Sequence, residues 1–188
     1  VRGLAEDLAF YDIALMGGDT AATPGPLTVS ITAFGAPLGA RVPSRTDAKP
    51  GEDVWVTGTL GDAWLGHEAL TGAWDASAHA EAAIARYRLP DPPLTFAPIV
   101  ARHAGAAMDV SDGLAGDATK LAGASGVALR IEAEALPLSP AGQAWRAAHT
   151  GYGRLFDWGD DYQVLFTAAP EARPAIEADA AAAGVQVS

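Results

Sequence analysis

The sequence predicts an α/β protein, a mixed sheet covered by helices, and three observations carry that prediction. Short β-branched and apolar runs alternate with alanine-rich stretches of helical length. Hydrophobic residues make up 49% of the 188-residue chain against 19% charged ones, enough to bury a core and the opposite of a disordered composition. Glycine–aspartate turns close several of the strand-like runs. Alternating strands and helices signal layered α/β architecture rather than a bundle or a sandwich.

The first ten residues read as the end of a helix, with Leu4 and Leu8 on one face. Residues 10–16 form an apolar run that delivers Gly17-Gly18-Asp19-Thr20, a strand leading into a glycine turn. Leu27, Val29, Ile31 and Ala33 alternate with Thr28, Ser30 and Thr32, the period of a half-buried strand. Residues 35–51 are punctuated by proline and glycine and lack periodicity, which places a domain boundary there and divides the chain into 1–42 and 43–188. Beyond it the expected strands are 54–56, 106–110, 127–131 and 162–168. The expected helices are 61–71, 77–88, 94–104, a helix from Gly113 to about 124, then 139–149 and 170–183. Gly184 stops the last helix before Val185-Gln186-Val187-Ser188, the beginning of a new strand. Both ends read as cuts through secondary structure.

Charge and motif content exclude several functions. The chain carries 23 acidic and 12 basic residues, a net charge of -11, which disfavours a phosphate-backbone binder of nucleic acid. With no cysteine there is no disulfide scaffold, thiolate zinc site or cysteine nucleophile. No apolar run approaches the roughly 18 residues of a membrane span, and no secretory leader is visible, so a soluble cytoplasmic protein is expected. The only lysines are Lys49 and Lys120, neither in a Gly-Lys-Ser/Thr phosphate loop. His67, His79, His103 and His149 are dispersed without metal-ligand spacing. Ser125, in Gly123-Ala124-Ser125-Gly126, misses the nucleophile-elbow spacing.

Three acidic turns remain, each at a strand end: Gly17-Gly18-Asp19-Thr20, Asp109-Val110-Ser111-Asp112-Gly113 and Asp157-Trp158-Gly159-Asp160-Asp161-Tyr162. Taken singly, each reads as an ordinary turn or helix cap. Together they suggest a magnesium–phosphate site. Glycines admit a ligand close to the backbone, helix N-termini attract phosphate, and carboxylates without Cys or His suit a hard cation.

These turns, with the stretch Arg45-Thr46-Asp47-Ala48-Lys49-Pro50-Gly51-Glu52-Asp53-Val54-Trp55-Val56-Thr57-Gly58 and the run Gly159-Asp160-Asp161-Tyr162-Gln163-Val164-Leu165-Phe166-Thr167, resemble the thiamine-monophosphate kinase family of the aminoimidazole-ribonucleotide-synthetase superfamily. The motifs occur in the family's order across nearly the whole chain. The resemblance implies ATP-dependent phosphorylation of thiamine monophosphate with several Mg²⁺ ions. It also implies that 1–42 is the end of an N-terminal ATP-binding and dimerisation domain, that 43–188 is most of a C-terminal α/β domain, and that the whole protein is a homodimer. By the same resemblance Gly18, Asp19, Arg45 and Ser111 contact ATP, Asp19, Asp109 and Asp112 hold Mg²⁺, and Asp160 meets the substrate. Three positions depart from the family: Asp160 stands for a glutamate, Trp158 for a small residue and Asp47 for a common glycine. The family's aspartate-rich segment and its substrate-stacking aromatic are expected outside residues 1–188, so the site in this chain is incomplete. Two alternatives stay open: another ATP-using member of the superfamily, and a non-catalytic Mg-nucleotide-binding module.

Overall fold

Three of the apolar runs become strands: β1 (Asp53–Val56), β2 (Ala104–Val110) and β3 (Gln163–Ala168). They hydrogen-bond in the order β1-β3-β2, and both pairings are antiparallel. The structure, a computed structural model, describes residues 2–75 and 78–188, and the chain divides into two units, Val1–Gly35 and Ala36–Ser188.

In the second unit the helices are α2 (Asp62–Thr71), α3 (Ala80–Arg88), α4 (Ala97–His103), α5 (Leu114–Ser125), α6 (Pro140–Ala148) and α7 (Arg173–Ala183). They follow the sequence's helical stretches closely, although the expected start of α3 at residue 77 lies outside the described residues. Short 3₁₀ turns, Leu94–Phe96 and Pro170–Ala172, lead into α4 and α7.

The sheet is buried on both faces because alternate strand residues point to opposite sides. Val56, Val110 and Leu165 face a core with Leu60, Trp64, Leu65, Leu114 and Leu121, supplied by α2, α5 and the segment before α2. Trp55, Phe166 and Ala168 face a second core with Phe96, Ile99, Ile176 and Ala180, supplied by the 3₁₀ turn before α4, by α4 itself and by α7. Each fully buried Leu or Phe contributes about 1.5–3 kcal/mol. The β2–β3 register slips between Ala104 and Ala107. There Thr167 Oγ1 accepts from the Ala106 amide (3.1 Å) and donates to Glu52 (2.6 Å), so the bulge leaves that amide satisfied.

The segment after α7 pairs with β1, as a new strand would. Ser188 exchanges both backbone hydrogen bonds with Val56 (2.9 and 3.0 Å), and Gly58 N donates to Gln186 O (2.8 Å).

Three expected strands are corrected. In the first unit, α1 spans Arg2–Phe10 and takes in Phe10, and Ile13 N closes the helix end on Leu8 O (2.8 Å). Residues 10–16 are therefore a helix end and an irregular segment. Residues 27–34 keep their apolar alternation but have no ladder partner among the described residues, and Leu27 is 93% exposed. Residues 127–131 show the burial pattern of a strand: Val127, Leu129 and Ile131 pack on the core while Ala128 and Arg130 face outward. Their backbone, too, lacks a ladder among the described residues. The side-chain period is set locally; the ladder needs a neighbour.

Candidate functional site

Antiparallel pairing of Val110 with Gln163 sets the geometry of the site. It places the turn leaving β2 directly beside the loop entering β3, so two of the three acidic turns are neighbours in space. Backbone bonds lace them together: Asp160 N donates to Ser111 O (3.0 Å), Tyr162 N to Val110 O (2.9 Å) and Ala115 N to Phe156 O (3.0 Å). Both turns are packed closely enough to demand glycine. A Cβ at Gly113, where φ is +104°, would lie 2.6 Å from the Asp157 carbonyl carbon, and one at Gly159 would land on the Ser111 carbonyl oxygen.

Asp109 is an exposed residue of β2 paired with Val164. Ser111 and Asp112 follow in the turn, ahead of the N-terminus of α5. The turn is held from below by Asp117, a wholly buried residue of the first turns of α5. Its Oδ2 accepts from the Ser111 amide (3.0 Å) and the Asp112 amide (2.9 Å), while its Oδ1 accepts from Lys120 Nζ (2.8 Å). The Lys120 ammonium also donates to the Asp112 carboxylate. The hydrogen bond to Asp112 first, and then that to Asp117, raise the Lys120 pKa above its ordinary value.

Across the turn, Asp160 and Tyr162 both adopt left-handed backbone, with φ of 68° and 51°. Aspartate tolerates this conformation; for a bulky tyrosine it costs on the order of 1–2 kcal/mol. Backbone strain concentrated at a ligand-facing loop is a recurrent feature of functional sites. Between them Asp161 is buried and turned away from the site, accepting from Gly61 N (2.7 Å) and Ala63 N (3.3 Å) at the start of α2. Burial pushes its pKa up to about 7, against the two amide bonds that lower it. Trp158, the bulky departure from the family pattern, is clamped between the Arg154 guanidinium (4.5 Å from its ring centre) and the His67 ring of α2 (5.1 Å).

The structure thus brings together Asp109, Ser111, Asp112 and Asp160. It does not bring Arg45 to them. The Arg45 carbonyl accepts from Ser125 Oγ (2.8 Å) at the C-terminal end of α5, whereas Asp112 precedes the other end of that helix, about 18 Å away at 1.5 Å per residue. Gly18 and Asp19 belong to the first unit, where Asp19 Oδ1 accepts from the Thr20 amide (2.8 Å).

For a hard divalent cation the donor chemistry fits. The turn presents carboxylates and a hydroxyl, and a cationic group, the Lys120 ammonium, already sits on Asp112. Among the described residues, however, no three His, Asp or Glu side chains converge as a complete ligand set.

Asp117 and Lys120 lie outside the three acidic turns, and Asp161, although within the third, is turned away from the site. The signal for the first two is an acid and a base three residues apart on one helix face, five and eight residues beyond Asp112. Asp161 carries no such signal, since its partners at residues 61 and 63 are about 100 positions away.

Residues 49–188 match the family described as AIR synthase related protein, C-terminal domain. The chain is 47% identical to the thiamine-monophosphate kinase of Caulobacter vibrioides over 193 aligned positions, covering all of this chain and 54% of that protein. It superposes on the crystal structure of thiamine-monophosphate kinase from Stenotrophomonas maltophilia with a TM-score of 0.69 and 33% identity, over 77% of this chain and 48% of that one. A further neighbour, described as AaThiL complexed with AMPPCP and TMP, gives a TM-score of 0.65 and 34% identity over 71% of this chain and 44% of its own. The chain spans about half the length of the relatives it matches.

Proposed function

The chain belongs to the AIR synthase related protein family, whose C-terminal domain occupies residues 49–188, and on that premise we propose that it forms part of a Mg²⁺-dependent kinase acting on thiamine monophosphate. The reaction transfers the γ-phosphoryl group of ATP to the substrate's phosphate, giving thiamine diphosphate and ADP. What supports it most is the pair of interlocked acidic turns in a chain 47% identical, along its whole length, to a thiamine-monophosphate kinase.

In this reading Asp109 and Asp112 hold Mg²⁺, which supplies neutralising charge to the phosphate oxygens, and Asp19 is assigned as a Mg²⁺ ligand on the family resemblance alone. Ser111, fixed through its backbone by Asp117 and Asp160, contacts the nucleotide, and Gly18 is assigned to ATP on the family resemblance alone. Asp160 presents its carboxylate to the thiamine substrate from a left-handed backbone position in the loop entering β3. Arg45 is assigned to an ATP phosphate on the family resemblance alone, because it stands at the far end of α5. Phosphoryl transfer asks the protein for positioning and charge compensation rather than a covalent partner, so direct in-line transfer without a phospho-enzyme follows. The proposal places the whole protein in the cytoplasm as a homodimer; among the described residues no helix is long and apolar enough to cross a membrane.

The test is phosphorus NMR of the whole protein with ATP and thiamine monophosphate. The expected result is paired growth of thiamine diphosphate and ADP that stops when EDTA is added. Binding of Mg-ATP with no diphosphate formed would instead establish a non-catalytic nucleotide-binding module.

A further inference from the structure

The feature left unused by the proposed reaction is Lys120. Its ammonium bridges two carboxylates of very different standing. Asp117 is wholly buried and its Oδ2 is committed to two turn amides, so its Oδ1 cannot leave. The Asp112 side chain is 68% exposed and is paired with Lys120. Lys120 lies three residues after Asp117 on α5, which keeps its stem on the same helix face whatever Asp112 does.

We propose that Lys120 is a built-in counter-ion for the metal site: it occupies the cation position on Asp112, yields that carboxylate to an arriving divalent cation, and stays tethered to Asp117. The inference rests on the reading of Asp112 as a metal ligand. Two physical consequences follow from the geometry. The bridge keeps the turn's acids from repelling one another before the cation arrives, so the turn is held in shape without it. The same positive charge opposes the divalent cation, because the cation must displace the ammonium from Asp112 and then share the turn with it. Lys120 therefore lowers the affinity for free metal while keeping the site assembled. The half of the bridge that breaks is the exposed half, and exposed ion pairs are weak, so the effect on affinity is modest.

Mn²⁺ titration of the whole protein without nucleotide, followed by electron paramagnetic resonance of the free ion, tests this independently of turnover. Removing the charge with Lys120→Met or Lys120→Gln is expected to tighten Mn²⁺ binding by about two- to fivefold. Lys120→Arg, which keeps the charge, is expected to bind as the parent does, and Asp112→Asn to bind more weakly. Unchanged or weaker binding in both neutral variants, with Asp112→Asn still weakened, would overturn the role of Lys120 and leave the metal assignment standing. Unchanged binding in Asp112→Asn would overturn both. Thermal melting of the metal-free variants shows that each is folded, and two neutral side chains of different shape guard against a packing effect of either one.

Discussion

The turn after β2 and the turn at Gly17–Thr20 look alike in sequence, each a glycine beside an aspartate after an apolar run, yet the structure treats them differently. The β2 turn is held by a buried carboxylate beneath it, by the loop entering β3 beside it, and by a lysine across its top. The Gly17–Thr20 turn has one local bond, from the Thr20 amide to Asp19. The contrast teaches that an acidic turn is held in shape by residues outside it, some nearby on α5 and some in the loop entering β3, rather than by its own sequence alone.

The contrast breaks most readily at glycine. Gly159→Ala would force its new methyl onto the Ser111 carbonyl oxygen, so both laced loops must shift, costing about 1–3 kcal/mol. Gly18→Ala meets nothing within 4 Å and is expected to leave stability within about 0.5 kcal/mol of the parent. Urea denaturation of the two variants measures the difference, and equal losses would show that the lacing between the turns carries no stability.

Asp161 sharpens the comparison in a smaller and pH-dependent way. Its pKa in the fold is raised from 3.8 to about 7 by burial. Below about pH 4 the carboxyl is protonated in folded and unfolded chains alike and its burial is not penalised. As pH rises toward 7 the unfolded carboxyl ionises while the folded one stays protonated, so this group's contribution to stability falls through that window and levels off above it. Asp161→Asn cannot ionise. Its melting temperature, relative to the parent, is expected to climb between pH 4 and pH 7 and then hold steady; a difference independent of pH would contradict the assignment.

Much of the fold is legible because its signals are local. The helices expected from Gly113 to about 124 and over 139–149 are α5 and α6, the latter capped by Ser139 accepting from the Gly142 amide (3.1 Å). What misleads is alternation without a partner. Residues 27–34 and 127–131 carry a strand's pattern, and the second even buries alternate side chains, but pairing depends on a neighbouring backbone that periodicity cannot supply. The site divides the same way. Asp109, Ser111, Asp112 and Asp160 are visible because they sit in glycine turns at strand ends. Asp117 and Asp161, buried carboxylates spent on backbone amides, look in sequence like ordinary helix and loop acids. Arg45 is conspicuous in a motif, and its carbonyl is bound at the C-terminal end of α5, away from the β2 turn.

If the β2 turn is the metal-holding pole of a phosphoryl-transfer site, as proposed, Asp109→Asn in the whole protein removes one of its charges. The substitution keeps the size of an exposed side chain and removes only its charge. Thiamine diphosphate formation from ATP and thiamine monophosphate is expected to fall by at least about 100-fold with the melting temperature unchanged. Undiminished turnover in that variant would rule out Asp109 as a ligand of the metal.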